Sequence, residues 1–124
     1  MNRQLTEHPV FQGYFLTPDG RVFSTKRTDT PLELKTFGEK NGYRSIYLYH
    51  KGRAVFQRIH QLVADTFIPK PLGVDGYNII HHIDKDKTNN HYTNLLRCRD
   101  LSEHTRLHHE ERRRELQLLQ GVLV

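Results

Sequence analysis

The spacing of apolar positions changes once along the chain, near residue 58. Before that point they come in short alternating runs. Phe11 to Phe15 and Arg21 to Ser24 read as two strands around the turn Thr17-Pro18-Asp19-Gly20, which predicts a hairpin. Leu32 to Phe37 alternates weakly, and Gly38 to Gly42 is a loop containing Gly and Asn. Tyr43, Ser45, Tyr47 and Tyr49 then alternate with Arg44, Ile46 and Leu48, a strand with bulky side chains on both faces. Lys51-Gly52 makes the next turn, and Ala54 to Phe56 opens another strand. After it, Ile59, Leu62, Val63 and Phe67 share one helical face, and Pro69 and Pro71 stop that helix. Residues 69–77 form a Pro- and Gly-containing linker inside the domain. Ile79 to Ile83 and Leu95 to Cys98 are short apolar strands on either side of a polar loop, Asp84 to His91. Asp100-Leu101-Ser102-Glu103 has the form of a capping box and opens a helix from about residue 101 to 119. The pattern predicts an α+β fold: a small N-terminal antiparallel sheet and a short helix, then a strand–loop–strand–helix unit. The expected organisation is a β-rich region over 1–57, the candidate for binding a polyanion, and over 58–124 a helix followed by the strand–loop–strand–helix unit, all packed as one body.

Length and composition narrow the function classes. The chain has 124 residues, enough for one domain, and only 35% of them are apolar, so the core is small. A single Cys excludes a disulfide framework within the chain and a zinc clip of four cysteines; Cys98 reads as a core residue. No run of 18 apolar residues is present, and the N-terminus lacks the apolar stretch of a signal peptide. The expected setting is therefore cytoplasmic and not secreted, with no membrane partner.

The net charge of +5 is concentrated. Residues 1–34 and 71–124 are balanced, whereas residues 35–70 hold Lys35, Lys40, Arg44, Lys51, Arg53, Arg58 and Lys70 against Glu39 and Asp65. The same stretch carries Tyr43, Tyr47 and Tyr49. A basic patch with aromatics suits a polyanion, because each neutralised phosphate releases condensed counterions; it equally describes a solvated sheet surface.

Six of the nine histidines lie between residues 81 and 109. His104 and His108 stand four apart on the predicted helix and share a face, so two imidazoles can reach one cation. A third ligand must come from elsewhere, and the neighbouring strand supplies His81 or His82. If one of that pair binds metal, the other points away and is free to act as a base. His109 competes with His108 for the helical position. His60 reads as a packed helix-start residue and His91 as a loop residue. The run from Asp84 to Asn90 invites a calcium-loop reading, which fails: the sixth position is Asn89 where Gly is needed, and the twelfth is Leu95 where Glu is needed. Glu110 to Glu115 reads as a solvated helix face, with Arg112 to Arg114 a lesser candidate for phosphate contacts.

The ordered set His81-His82-Ile83-Asp84, Asn89-Asn90, Asn94-Leu95 and His104 with His108 resembles the HNH endonucleases, the ββα-metal or His-Me finger nucleases. The strings HHIDKDKTNN and NLLRCRDLSEH are most similar to phage homing-type members. Upstream, GYFLTPDGRVFS resembles the nuclease-associated modular segment that precedes many such domains. IHQLVADTFIPKP resembles the family stretch in which a His opens a helix before a Phe and a Pro. Together these cover roughly residues 9 to 109.

The resemblance implies a ββα-metal motif and metal-dependent, homing-endonuclease-like hydrolysis of DNA, as a nick or a double-strand cut, leaving a 5′-phosphate and a 3′-hydroxyl. By residue, it implies His82 as general base, Asn94 as the brace of the loop that orients His82, and His81, His104 and His108 as metal ligands. Many homing members carry Asp and Asn where this chain has His81 and His104. Imidazoles make a softer site that favours transition metals, so the expected cofactor is one divalent ion drawn from Mg, Mn, Ni or Zn. The expected partner is double-stranded DNA, gripped by Lys35, Arg44, Lys51, Arg53 and Arg58. An inactive DNA-binding module and a structural metal domain are the competing readings. The apolar end (Leu116, Leu118, Leu119, Val122, Leu123, Val124) is either a dimer contact or a helix packing on its own domain, so monomer and homodimer stay open.

Overall fold

The computed structural model describes residues 4–73 and 75–119, and the side chains up to residue 114. The apolar end weighed above as a dimer contact lies outside the described side chains.

The strands are β1 (Thr6–Glu7), β2 (Tyr14–Leu16), β3 (Val22–Ser24), β4 (Leu32–Glu33), β5 (Phe37–Gly38), β6 (Arg44–His50), β7 (Arg53–Arg58), β8 (Ile79–His82) and β9 (Leu95–Cys98). The helices are α1 (Ile59–Phe67) and α2 (Leu101–Leu119), with a single 3₁₀ turn at Tyr92–Asn94. All strand pairs are antiparallel, in three sheets: β1-β2-β3-β4, β5-β6-β7 and β8-β9. The fold is α+β, as the apolar pattern predicts, but the N-terminal strands divide into two sheets where one was expected. The break falls between Glu33 and Phe37. There the Thr36 carbonyl accepts a 2.7 Å hydrogen bond from the Arg44 guanidinium, a side-chain partner in place of a neighbouring strand.

Helix α1 is central and touches β2, β6, β7, β8 and β9. Its apolar face (Ile59, Leu62, Val63, Ala64) is fully buried against Leu16, Val22, Ile46, Leu48, Ile80 and Leu95, so one core joins the N-terminal strands to the β8–β9 hairpin. Complete burial of Leu62 or Val63 stabilises the fold by roughly 1.5–3 kcal/mol each. The helix ends where its periodicity does: Ile68 N–H still bonds the Ala64 carbonyl, and Pro69 and Pro71 follow.

A polar network ties the same elements together. Arg97 on β9 is buried and donates to the carbonyls of Ile68 (2.7 Å) and Tyr77 (2.8 Å), fixing both ends of the linker. Its Nη2 lies 3.6 Å from Asp65, which also pairs with buried His8 at 3.2 Å. The Nδ1 of His8 accepts from the backbone N–H groups of Val10 and Phe11, so its Nε2 carries the proton that goes to Asp65. Arg97→Ala leaves Asp65 and two carbonyls short of a donor. The expected loss is about 3–5 kcal/mol, read from the urea midpoint at unchanged m-value.

Among the described residues, no helix is long and apolar enough to cross a membrane. Cys98 is fully buried, and burial pushes its thiol up to about 11, which makes it an inert core residue.

Candidate active site

The β8–β9 hairpin and the first turns of α2 bring the histidines together. His81 and His82, adjacent on β8, point to opposite sides of the strand. His81 turns toward α2. Its ring centroid lies 5.1 Å from that of His104 and 4.8 Å from that of His108. On α2 the i,i+4 spacing sets Nε2 of His104 and Nε2 of His108 3.1 Å apart. One ligand nitrogen from each of the three residues falls within 4.8 Å of the others. His109 is exposed on another face of α2, beside Thr105 and Arg106, so the geometry brings His108 and not His109 to the cluster.

The start of α2 fixes this arrangement. Asp100 Oδ1 accepts the Glu103 N–H (2.9 Å), and the Glu103 carboxylate accepts the N–H of Arg99 (2.8 Å). This is the expected capping box, with Glu103 reaching one residue further back than the N-cap.

The three imidazoles suit a divalent cation on their own chemistry. Nδ1 of His81 is buried and has no hydrogen-bond partner, an arrangement that is costly unless a ligand takes up the lone pair. Burial pushes the His104 imidazole below its ordinary value, with His108 and His81 adding to the effect, so its neutral, ligating form is favoured.

His82 is buried on the other side of β8, and its Nε2 lies 2.9 Å from Oδ1 of Asn90, itself buried. A carbonyl oxygen only accepts, so Nε2 carries the hydrogen and Nδ1 holds the basic lone pair. Asn94 acts one step back. Its Oδ1 accepts the Asp84 N–H (3.0 Å), its Nδ2 donates to Asp84 Oδ1 and to the Asn89 carbonyl (2.9 Å each), and its own carbonyl accepts from Ile83. Asn94 thus closes the loop that carries Asn90. Asp84, within the stretch that fails as a calcium loop, organises the turn; hydrogen bonds from Asn89, the Asp86 N–H and Asn94 hold its carboxyl below the usual range.

The N-terminal hairpin supports the same loop. The Pro18 carbonyl accepts from Tyr92 N–H (2.9 Å). Gly20 has φ +91°, and a Cβ there would stand 3.0 Å from Asn90 Cβ and 3.1 Å from Ile59 Cγ2, so only glycine permits this approach.

A cavity of about 230 Å³ opens over the site, lined by Tyr43, His81, His82, Lys85, Lys87, His104 and His108 with Ile80. Lys87 and Arg58 both sit over the Tyr43 ring, at 4.7 and 4.6 Å from its centroid. Behind His82 lies His60, the helix-start residue, 5.0 Å away between ring centroids and buried. Burial, with His82 and Arg58 nearby, pushes His60 down to about 4. Its folded value lies below its ordinary one, so this stability contribution is present above about pH 6.5 and is lost as pH falls toward 4. The difference is on the order of 3 kcal/mol. Urea midpoints at pH 7 and pH 4.5 are expected to diverge more for wild type than for His60→Phe.

The residues expected to grip DNA divide into two groups. Lys35, Lys51 and Arg53 are exposed. Arg44 and Arg58 are half-buried and engaged within the protein. Arg44 binds Thr36, and Arg58 pairs with Glu39 at 2.9 and 3.1 Å, which holds the Glu39 carboxyl below its usual range. The outer face of the β5-β6-β7 sheet also carries a cluster of exposed Phe37, Tyr47 and Phe56.

Sequence reasoning missed four residues here. In the sequence Asn90 is one of a pair with no evident role, and Lys85 and Lys87 are parts of a polar turn. Glu111 belongs by sequence to a solvated helix face, but in the fold its carboxylate lies 2.8 Å from Nε2 of His81. Its spacing from His104 (seven) and His108 (three) was the available signal.

No protein-family model matches the chain. Over 85 residues it is 39% identical to a protein of Acanthamoeba polyphaga mimivirus described as an uncharacterized HNH endonuclease; the match covers 68% of this chain and 24% of that relative. The fold superposes on the HNH homing endonuclease I-HmuI, known from its DNA binding and cleavage, with a TM-score of 0.64 and 25% identity over 98% of this chain and 61% of that one. By sequence and by fold, the chain is HNH-like. It spans about a quarter of the viral relative and three fifths of the solved nuclease. The HNH likeness takes in the N-terminal strands as well as the histidine hairpin, since the superposition covers nearly the whole chain.

Proposed function

We propose that this chain is a metal-dependent HNH endonuclease that hydrolyses phosphodiester bonds of double-stranded DNA. The observation that carries the reading is the convergence of His81, His104 and His108 in one cavity with a separately held His82. His81, His104 and His108 would hold one divalent cation, with a transition metal favoured by three imidazoles. Bound there, the cation supplies Lewis-acid stabilisation of charge on the phosphate and on the leaving 3′ oxygen.

The chain's own groups do the rest. Asn90 keeps a hydrogen of His82 on Nε2, which leaves Nδ1 to serve as the base. Nδ1 takes one proton from a water whose oxygen attacks phosphorus. The P–O3′ bond breaks, and the 3′ oxygen acquires a proton from solvent. Lys85 and Lys87 line the cavity and attract a phosphate to it. Lys35, Lys51 and Arg53 add phosphate contacts along the duplex; such contacts set position without reading sequence. Arg44 and Arg58, engaged by Thr36 and Glu39, serve mainly to build the sheet edge beside the site.

The reaction's polarity gives a direct test. Nicks made by this chain are expected to be sealed by DNA ligase without prior end treatment, as 5′-phosphate and 3′-hydroxyl ends require. Nicks that need a kinase and a phosphatase before ligation would overturn the assignment of the leaving oxygen.

A further inference from the structure

Glu111 has no part in the reaction set out above, yet it is the one carboxylate that reaches the histidine cluster among the described residues. We infer that Glu111 fixes the tautomer of His81, so that His81 offers Nδ1, and not Nε2, to the cation. The inference rests on the metal-centre reading. The Glu111 carboxylate lies with Oε1 2.8 Å from Nε2 of His81. An ionised carboxylate only accepts, so the hydrogen must sit on Nε2. A neutral imidazole has one N–H, which leaves Nδ1 as a bare lone pair. That atom is buried and has no hydrogen-bond partner among the described residues, as is also true of His60 Nδ1 and the second oxygen of Glu111. Both halves of the arrangement are therefore present: a nitrogen committed to a carboxylate, and a nitrogen with nothing to bind but a ligand.

The helix register explains why Glu111 can do this. It stands three residues beyond His108 and seven beyond His104, on the same face of α2. Its second oxygen is buried without a hydrogen-bond partner, 3.9 Å from Lys85 Nζ and 4.0 Å from His108 Nδ1, so the carboxylate lies beside the cluster and outside the three mutually close ligand nitrogens. Carboxylates that accept from the outer nitrogen of a ligating imidazole orient the ring and raise its basicity, and their loss typically weakens metal binding by about 10–100-fold.

The test uses the full chain labelled with ¹⁵N-histidine. Long-range ¹H–¹⁵N spectra are recorded without metal and with one equivalent of Zn²⁺, and Zn²⁺ affinity is measured by calorimetry for wild type, Glu111→Ala and Glu111→Gln. The expected result is an Nε2–H tautomer for His81 before zinc, and a zinc-induced shift on its Nδ1. Glu111→Ala is expected to bind Zn²⁺ about 10–100-fold more weakly, and Glu111→Gln, which still accepts from Nε2–H, to fall between. Unchanged thermal unfolding of Glu111→Gln identifies these as effects on the site. Zinc found on Nε2 of His81, or variants binding as wild type does, would overturn the role of Glu111 alone. A wild-type chain that binds no Zn²⁺ would overturn the metal-centre reading together with it.

Discussion

His82→Ala is expected to lower DNA strand cleavage by roughly 10²–10⁴-fold, the span typical of a lost general base, while Zn²⁺ or Ni²⁺ affinity stays within a factor of about three. The separation follows from the strand. His81 and His82 are adjacent on β8, so their side chains leave on opposite faces, and only His81 meets α2. Removing the His82 ring therefore empties a place beside Tyr43, His60 and Asn90 and leaves the three-histidine cluster intact. Asn90→Ala is expected to lose part of the same activity. Its change should appear in kcat more than in KM, because the base remains but its tautomer is no longer fixed. Single-turnover cleavage with parallel calorimetry checks both. Loss of metal binding in His82→Ala would show that the roles of the two adjacent histidines are exchanged.

The second large effect is expected at α2. His104→Ala or His108→Ala removes a nitrogen that would touch the cation, so metal affinity should fall by more than the roughly 10–100-fold typical of an outer partner. Cleavage should fall in parallel and recover in part at high metal concentration. His109→Ala, on another face of the helix, should leave both unchanged. Folding should hold in all three, because α2 is anchored by its capping box and His104, His108 and His109 contribute nothing to the apolar core. Titration of each variant with Ni²⁺, followed by cleavage over the same concentrations, reads both quantities. Equal affinity for wild type and His108→Ala would remove His108 from the ligand set.

Much of this arrangement was legible in the sequence because it rests on local periodicity. The i,i+4 spacing of His104 and His108 states their common face outright, and the alternation of β8 states that His81 and His82 diverge. Ile59, Leu62 and Val63 announce α1 in the same way. What the sequence hid depends on contacts between distant segments. Asn90 becomes the partner of His82 only because Asn94 closes the loop and Gly20 lets the N-terminal turn come up behind it. Glu111 reads as a surface residue until β8 packs across α2. Arg44 and Arg58 count as free charge in a composition, but Thr36 and Glu39 engage them in the fold. The split of the N-terminal strands into two sheets was likewise invisible, because strands of two residues carry too little alternation to mark their partners.

The central claim is that one chain hydrolyses DNA through a cation held by three histidines and a base that is not one of them. Supercoiled plasmid incubated with the protein and Mg²⁺, Mn²⁺, Ni²⁺ or Zn²⁺ in turn, against EDTA and against His82→Ala, tests it most directly. One centre cuts one strand, so a monomer gives open-circle and a homodimer linear product, and the account predicts that either product requires both the metal and His82. Plasmid that stays supercoiled with every metal, while the protein still retards it in a gel, would contradict the account and leave a DNA-binding module in its place.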